Sequence, residues 1–385
     1  MTEQSPVAAP ASRRDEIEWK LALVRGLLER SALDAVVLDR PGPVAWLTGG
    51  VTNRIESGSP AGPLWLVVTP TATAGVTTNV ERPRLEAESG LAALGIELHD
   101  APWYDEHGFL RLAVDLAGAP RERIGGLGVD VDDDLAELRL TLLPPERERL
   151  STLAADAAWA LEDALRTWTP GERDLDVQAR VAEGLERAGA FGACLIVGGD
   201  ERVERFRHPL AVGAPMFRLV MAVVVAERHG LHAAATRFAC AGGLADGVRH
   251  ARAAVVAVEE ATLRACTPGA AYGDVLRALD RAYADAGHPG AWAGHYQGGP
   301  VGYRQREFEI VPTQTESRWF ATAIESGHAV AWNPSLAGGG KVEDTYLVGE
   351  DGLCRLTDTG AWPLEDGRPG VLDVTTGDSA PVSPT

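Results

Sequence analysis

The histidines of this chain are the side chains best suited to proton transfer, because an unperturbed imidazole titrates close to neutral pH and can both accept and donate a proton. His208, within Arg-Phe-Arg-His-Pro at residues 205–209, is a candidate general acid and base. The alternative is a histidine that only hydrogen-bonds the chain beside Pro209. His232 shares one face of its predicted strand with Thr236, so it is a second catalytic candidate or a half-buried strand histidine.

Glu343 is the candidate carboxylate. It can hold a cationic substrate group or activate water, or it can pair with Arg237 or Arg306 and stabilise a sheet. The Arg306 guanidinium, beside Glu307, would suit a substrate carboxylate through two parallel hydrogen bonds. An internal salt bridge to Glu343 or Glu307 is the alternative, so the sequence leaves both a substrate site and a structural ion pair open.

Four further residues are candidates for substrate contacts. His295 and Tyr296 precede a glycine-rich loop, whose glycines let the backbone approach a ligand closely or simply form a tight turn. Trp332 could wall a pocket or belong to the core. Arg54 could bind an anionic group, or Glu56 could neutralise it at the surface.

Composition restricts the partners of such a site. The 385 residues carry a formal net charge of −19 and a sequence pI near 4.9, which disfavours nucleic acid and anionic membranes. No run of about 18 apolar residues occurs, and residues 1–12 have no apolar leader segment. The 4 cysteines are far apart and read as reduced thiols. We expect a cytoplasmic protein with a small-molecule substrate and no nucleic-acid or membrane partner.

A repeat provides the elements that must position these residues. The segment 165–189 recurs 98 positions later as 263–287, with Leu-Arg, Thr-Pro-Gly, Asp-Val and Ala-Gly at matching positions. Each copy predicts a helix stopped by Pro-Gly and a second helix capped by Asp176 or Asp274. Predicted strands follow each copy at 217–226, 231–241, 328–333 and 341–348. Two α-α-β halves would fuse their sheets, and ligands commonly bind where such halves meet.

The chain before the repeat predicts a smaller α/β domain. Its pattern gives a helix at 15–33, strands at 35–38, 64–69 and 75–79, and a helix at 82–93. We expect four segments: a flexible arm at 1–14, this domain at 15–148, a second domain at 149–362 and a flexible tail at 363–385.

The repeat and the ending Lys-Val-Glu-Asp-Thr-Tyr-Leu-Val-Gly-Glu-Asp-Gly at 341–352 resemble the pita-bread proteins of the M24 peptidase superfamily, which includes creatinase, prolidase and aminopeptidase P. The resemblance covers roughly residues 15 to 360. It implies an α+β protein: a C-terminal pita-bread domain of two pseudo-symmetric α-α-β halves, preceded by a smaller N-terminal creatinase-like α/β domain.

Most ligand positions of that family hold residues that cannot bind a metal here. Metal-binding members use two aspartates, one histidine and two glutamates around two ions. Ala234 stands for one aspartate, an apolar residue within 221–225 for the other, Gly299 for the histidine and Asn333 for one glutamate, which leaves Glu343. Dinuclear sites need several anionic ligands to offset the metal charge. We therefore expect no metal and no other cofactor.

Creatinase is the precedent for this fold working without a metal, with a histidine that shuttles a proton. His208 resembles that histidine, His295 resembles the first histidine of the family's glycine-rich loop, and Arg306 aligns with a functional family histidine. Residues from a partner's N-terminal domain commonly complete creatinase-like sites, and the loop 49–54, which contains Arg54, is the matching region. The resemblance thus implies a homodimer.

The expected activity is metal-independent, creatinase-like hydrolysis of a small polar molecule containing an amide, amidine or carboxylate. His208, Glu343 and His232 are the expected catalytic residues. The expected substrate-binding residues are His295, Tyr296, Arg306, Trp332 and Arg54. A lyase or isomerase on the same scaffold and a non-catalytic metabolite- or protein-binding protein are the alternatives. A metal-dependent Xaa-Pro peptidase is the least expected.

Overall fold

The computed structural model describes residues 12–376. Its Cα packing divides the chain into two compact units. The first runs to Glu146 and includes the turn His229–Leu231, and the second comprises Arg147–Arg228 and the chain from His232 onward. Within residues 12–376, no helix has the length and apolar character needed to cross a membrane.

The first unit is an α/β unit built on one sheet. Its helices and strands are α1 (Arg13–Arg30), β1 (Ala35–Leu38), α2 (Pro41–Leu47), β2 (Trp65–Val68), β3 (Thr73–Thr78), α3 (Arg82–Glu88), β4 (Glu97–Ala101), α4 (Gly108–Ala117), β5 (Ile124–Gly125) and α5 (Asp132–Arg139). The strand order is β4-β3-β2-β1-β5, with β1 antiparallel to β2 and parallel to β5. Every side chain of β1 is buried, as its continuous apolar run predicts.

Helix α1 shows how this sequence forms the unit. Ser12 caps the helix by accepting a hydrogen bond from the Asp15 backbone N–H, which satisfies one of the free donors of the first turn. The buried residues of α1 recur at intervals of three and four, so one face of the helix packs inward. Lys20 lies within this stripe and pairs with Glu16 and Glu146 at 2.6 and 2.7 Å, because a buried ammonium needs compensating carboxylates.

The second unit contains the repeated part of the sequence. From the unit boundary onward the elements are α6 (Pro144–Arg166), α7 (Asp174–Arg187), β6 (Phe191–Gly199), α8 (Asp200–Arg205), β7 (Leu219–Arg228), β8 (Leu231–Cys240), α9 (Asp246–Ala265), α10 (Tyr272–Asp285), β9 (Gly298–Val301), α11 (Arg318–Ala321), β10 (Ala329–Trp332), β11 (Ser335–Leu336), β12 (Gly340–Lys341), β13 (Asp344–Gly349), β14 (Gly352–Arg355), β15 (Leu364–Glu365), β16 (Arg368–Pro369) and β17 (Val371–Asp373). Two four-stranded sheets run β17-β8-β7-β6 and β14-β13-β10-β9. Two short hairpins, β11-β12 and β15-β16, complete it.

The two halves use the same turn after their first helix. Gly171, with φ +97°, donates from its backbone N–H to Met216 at 2.7 Å. Gly269, with φ +87°, donates in the same way to Ile324 at 2.8 Å. A glycine is favoured at both turns because a positive φ is costly for other residues. The α+β fold with a repeated half, expected from the sequence, is confirmed.

Several local expectations differ from the structure. The N-caps assigned to Asp176 and Asp274 are wrong, because α7 and α10 begin two residues earlier, and both carboxylates lie in the first helical turn. The strand expected at 341–348 is interrupted between β12 and β13, with Glu343 in the gap. Glu343 therefore belongs to neither strand.

The ends of the chain also differ from expectation. Residues 13 and 14, expected in a flexible arm, begin α1, and residues 364–373, expected in a flexible tail, contain three short strands. Strand β17 pairs in parallel with β8 and buries Leu372, so this segment belongs to a sheet. The remainder of the expected arm and tail, 1–11 and 377–385, lies outside the described residues.

Candidate functional site

Glu343 lies in the gap between β12 and β13 and is 2% exposed. Its Oε1 accepts a hydrogen bond from Arg306 Nη2 at 3.0 Å, and its Oε2 accepts one from the Thr236 hydroxyl at 3.3 Å. The Glu343 carbonyl also accepts from the Thr236 backbone N–H at 2.9 Å, which ties the gap to β8. The carboxylate is thus held in place with its charge compensated by Arg306.

Lys341 is a second charged residue of this site, and the sequence reasoning missed it. It is 3% exposed, and its Nζ donates to Asn333 Oδ1 at 2.6 Å. Burial lowers the pKa of the Lys341 ammonium to about 8, against the opposing attraction of Glu343. The signal that could have identified Lys341 is its two-residue spacing from Glu343 in an extended segment, since alternate residues share one face.

His208 and His295 form a pair beside this amine. Their Nε2 atoms lie 3.1 Å apart, and Lys341 Nζ lies 3.5 Å from His295 Nε2. His295 Nδ1 is 2.5 Å from the Tyr296 carbonyl oxygen, so Nδ1 carries the hydrogen and donates it. His295 Nε2 is then an acceptor, and His208 Nε2 must donate to it. We therefore assign the free lone pair of His208 to Nδ1.

Both imidazoles are held in their neutral forms. Burial, and next the Lys341 charge, lower the pKa of His295 to about 3. The pKa of His208 is lowered as well, first by partial burial of its ring and then by the Lys341 charge. A neutral imidazole with a free lone pair can accept a proton at neutral pH, which is the property that a general base requires.

Cys194, on β6, lies close enough to Glu343 and Lys341 for their charges to act on its thiol. Burial raises the pKa of its thiol, and the charge of Glu343 raises it further. The side chain is partly buried against the apolar cluster of the sheet that contains β6. A protonated, partly buried thiol is a poor nucleophile, so Cys194 contributes packing rather than nucleophilic chemistry.

The structure does not bring all of the sequence-predicted residues together. His232 lies 3.4 Å from Glu227 through Nε2 and 3.3 Å from the Gly302 carbonyl through Nδ1, so both ring nitrogens have partners away from Glu343. Trp332 is buried in β10, as a core residue would be. Its role as a pocket wall is not indicated by this position.

Two other candidates have different surroundings. Tyr296 is 66% exposed beside His295, within reach of an incoming molecule. Arg54 belongs to the first unit, where its Nη1 donates to the Ser57 carbonyl at 2.9 Å. Its local contact is therefore with its own loop.

The donor set does not fit a pair of divalent ions. The retained Glu343 is bonded to a guanidinium, and Asn333, at the position of a ligand glutamate, is bonded to the Lys341 ammonium. Ala234, at an aspartate position, offers only its backbone to the Thr345 hydroxyl. Two cationic side chains where anionic ligands are needed oppose metal binding electrostatically. Among residues 12–376, no group of three or more His, Cys, Asp and Glu side chains is arranged to hold a metal ion.

Comparison with known proteins agrees with this architecture. The family model described as metallopeptidase family M24 matches residues 148–350. No curated protein sequence matches the chain. The solved structure of dipeptidase PepE from Mycobacterium ulcerans has 20% identity and a TM-score of 0.72, covering 94% of this chain and 99% of that one.

Two further solved structures share the fold. The Xaa-Pro dipeptidase from Bacillus anthracis has 17% identity and a TM-score of 0.70, covering 91% of this chain and 99% of its own. The N-terminal domain of FACT complex subunit SPT16 from Cicer arietinum has 12% identity and a TM-score of 0.64, covering 90% and 96%. The family match spans more than half of the chain, and the resemblance drawn from the ending and the repeat is confirmed. The chain therefore belongs to metallopeptidase family M24.

Proposed function

We propose that this protein is a metal-independent hydrolase of a small polar molecule that contains an amide bond and a carboxylate. The observation that carries the proposal is the pair of neutral histidines, with Nε2 atoms 3.1 Å apart, next to the buried Lys341 amine. This arrangement supplies a proton acceptor and a fixed positive charge in one place. Those are two of the groups that amide hydrolysis without a metal requires.

His208 is the proposed general base and acid. Its Nε2–H is donated to His295, so its Nδ1 lone pair can accept a proton from water. The proton then passes from His208 to the nitrogen of the leaving amine. His295 is a positioning residue, because its own Nδ1–H is fixed by the Tyr296 carbonyl.

Lys341 is the proposed source of electrostatic stabilisation. Attack of water on an amide carbonyl places negative charge on its oxygen, and a preorganised cation in a buried site stabilises that charge strongly. Lys341 is held by Asn333 and is already largely desolvated, so little reorganisation accompanies the reaction. The Tyr296 ring, exposed beside His295, is the proposed contact for the substrate's body.

Glu343 has a different role from the one suggested by the creatinase precedent. Its carboxylate is bonded to Arg306, so it is less available to hold a guanidinium-like substrate. We propose that Glu343 orients Arg306, whose remaining N–H groups bind the substrate carboxylate. This arrangement favours a carboxylate-bearing amide over an amidine.

We also propose a cytoplasmic homodimer in which the loop 49–54 supplies Arg54 to the partner's site. This part rests on the creatinase-like resemblance and on the reduced thiols expected from the cysteine spacing. His232 and Trp332 have no direct catalytic role in the proposal, because their nearest partners lie elsewhere.

The test combines a hydrolysis assay in ¹⁸O-labelled water with two variants. A panel of N-acyl amino acids is screened with the purified protein, and label in the released carboxylate marks hydrolysis. His208→Ala should lower kcat by about a hundredfold to ten-thousandfold, while His250→Ala, an exposed histidine of α9, should leave it unchanged. Treatment with a chelator should have no effect on activity.

Three results would contradict the proposal. An active His208→Ala enzyme would show that another group moves the proton. Activity lost on chelation and restored by a stoichiometric metal would show that a metal, and not Lys341, stabilises the transition state. Turnover without label incorporation would instead assign the same base to a lyase or isomerase.

A further inference from the structure

The second unit contains a cavity of about 640 Å³ beside helix α9. Its walls come from α9, from the β15-β16 hairpin and from β17, and none of its lining residues belongs to the site around Glu343. The apolar part of the lining includes Leu244, Ala253, Val256, Ala257 and Val371. A cavity of this size is within the range of small-molecule sites.

Arg252 is the buried charge of this cavity. The residue is 5% exposed, and its guanidinium lies 4.6 Å from the centre of the Phe238 ring. Its Nη1 donates one long hydrogen bond, 3.3 Å, to the Lys341 carbonyl. Within residues 12–376, no carboxylate lies within ion-pair distance of the Arg252 side chain, although a buried cation without a counter-ion is costly. Its remaining donors are therefore suited to an anionic ligand.

Acidic residues surround the same cavity. Glu365 exerts the strongest attraction on Arg252 among the carboxylates, and Asp366 and Asp373 also line the walls. Glu260, a further lining residue, is paired with Arg264 at 2.8 Å. Two further cationic residues line the cavity, and both are already paired: Arg368 is bonded to Glu259 at 2.7 Å, and Arg249 lies 3.5 Å from Asp246. These carboxylates oppose a phosphate or another multiply charged anion. They favour a ligand that carries a positive group together with its single negative one.

We propose that this cavity binds a free apolar α-amino acid. The ligand carboxylate pairs with Arg252, its ammonium group lies towards Glu365, and its side chain lies against Val256 and Val371. A bidentate carboxylate–guanidinium pair satisfies the donors that the protein leaves unused. The site is separate from that of the proposed hydrolysis: its lining contains none of the residues assigned to that reaction, and Arg252 contacts Lys341 through the Lys341 backbone carbonyl.

Titration calorimetry of the full chain with L-leucine tests the proposal. L-leucine should bind with a single site, while leucinamide, which lacks the carboxylate, and 4-methylpentanoate, which lacks the ammonium, should each bind at least about tenfold more weakly. Arg252→Met should abolish L-leucine binding. Arg187→Met, which removes an exposed charge of α7, should leave it unchanged.

Two additional variants make the outcome decisive if Arg252→Met is poorly folded. Ala257→Trp fills the cavity from an exposed position of α9 and should prevent binding without loss of folded structure. Glu365→Gln should weaken L-leucine binding but strengthen that of 4-methylpentanoate, because it removes a negative charge that repels the ligand carboxylate and attracts Arg252. Absence of L-leucine binding to the wild-type chain at about 10 mM, or equal binding by folded Ala257→Trp, would overturn the proposal.

Discussion

The charge balance around Glu343 is the feature on which the chemistry depends. Arg306 and Lys341 place two cationic groups near one carboxylate in a buried position, where the low dielectric strengthens each interaction. Asn333 adds a neutral oxygen that accepts from Lys341. The protein thus provides fixed positive charge with its own side chains.

Lys341→Met should stabilise the protein at neutral pH. The folded-state pKa of Lys341 is lowered from 10.5 to about 8, so the unfolded chain binds this proton more tightly between those values. The free energy of unfolding of the wild type therefore rises with pH through that window. The cost of burying the charged ammonium, about 3 kcal/mol, applies in full below pH 8. Loss of the hydrogen bond from Lys341 to Asn333 reduces this gain in stability by about 1 to 2 kcal/mol. Urea unfolding at pH 7 should show a net gain of about 1 to 2 kcal/mol, with activity lost.

A matched buried lysine provides the control. Lys20 is compensated by Glu16 and Glu146, so Lys20→Met should destabilise the protein at pH 7. If both variants lost equal stability, the interpretation of Lys341 as a residue held at an energetic cost would be wrong. A gain for Lys341→Met that persists above about pH 10 would also contradict it.

The pH dependence of the reaction follows from His208. Burial and the Lys341 charge lower the pKa of this imidazole, so its base form persists to more acidic pH than that of an ordinary histidine. The acid limb of kcat/KM should therefore lie below pH 6.5, about the usual value. A rate profile measured from pH 4 to 9 checks this, and the limb should be absent from the residual activity of His208→Ala.

At the scale of elements, Asp174 fixes the segment that carries His208. Asp174, the first residue of α7, is fully buried and accepts hydrogen bonds from the backbone N–H groups of Val212 and Gly213. Arg202 donates to the same carboxylate at 2.8 Å. The chain that follows α8 is thereby tied to the helix of the repeat. This is how the fold holds an exposed histidine in one place.

Asp174→Asn should destabilise the protein and impair His208 indirectly. The substitution removes a buried charge and replaces one carboxylate oxygen with an NH₂ group. Three donors are then left with a single acceptor oxygen, at a cost of about 2 to 3 kcal/mol. Urea unfolding measures the loss, and a fall in kcat without a shifted acid limb is expected for a positioning residue. Asp274→Asn, at an exposed position of α10, is the control and should leave both quantities unchanged.

Removal of the C-terminal strands should also destabilise the second unit. A chain that ends at residue 362 loses β17 from the edge of β8, together with buried Leu372. Burial of a leucine alone contributes about 2 kcal/mol, and the lost strand pairing adds to this. The midpoint of urea unfolding should fall clearly below that of a chain ending at 376, which keeps every described contact. Equal midpoints would show that this strand is dispensable.

At the scale of the whole molecule, we predict a homodimer with composite sites. Light scattering at micromolar concentration should give twice the 40.8 kDa of one chain. A mixture of His208→Ala and Arg54→Ala chains, exchanged at equal amounts, should recover about a quarter of the wild-type activity. Half of the dimers are then mixed, and each has one intact site of two. A monomer, or a mixture no more active than its components, would contradict the composite site.

The sequence by itself determined the family and much of the candidate site. The repeat spaced by 98 residues and the ending at 341–352 are local patterns, and local patterns specify helices, turns and strands directly. The ending contains Glu343, and the family resemblance selected His208 and His295. In the structure these two histidines form a pair, and Lys341, two residues from Glu343, lies 3.5 Å from His295.

Tertiary structure decided which of these side chains meet. Lys341 reaches His295 across 46 residues, and the partners of Glu343 come from β8 and from the loop before α11. His232 faces Glu227 instead, although strand alternation placed it with Thr236. Such pairings depend on the register between distant segments, which a single strand's pattern does not contain. The lowered pKa values have the same origin, because burial and neighbouring charge exist only after the chain has folded.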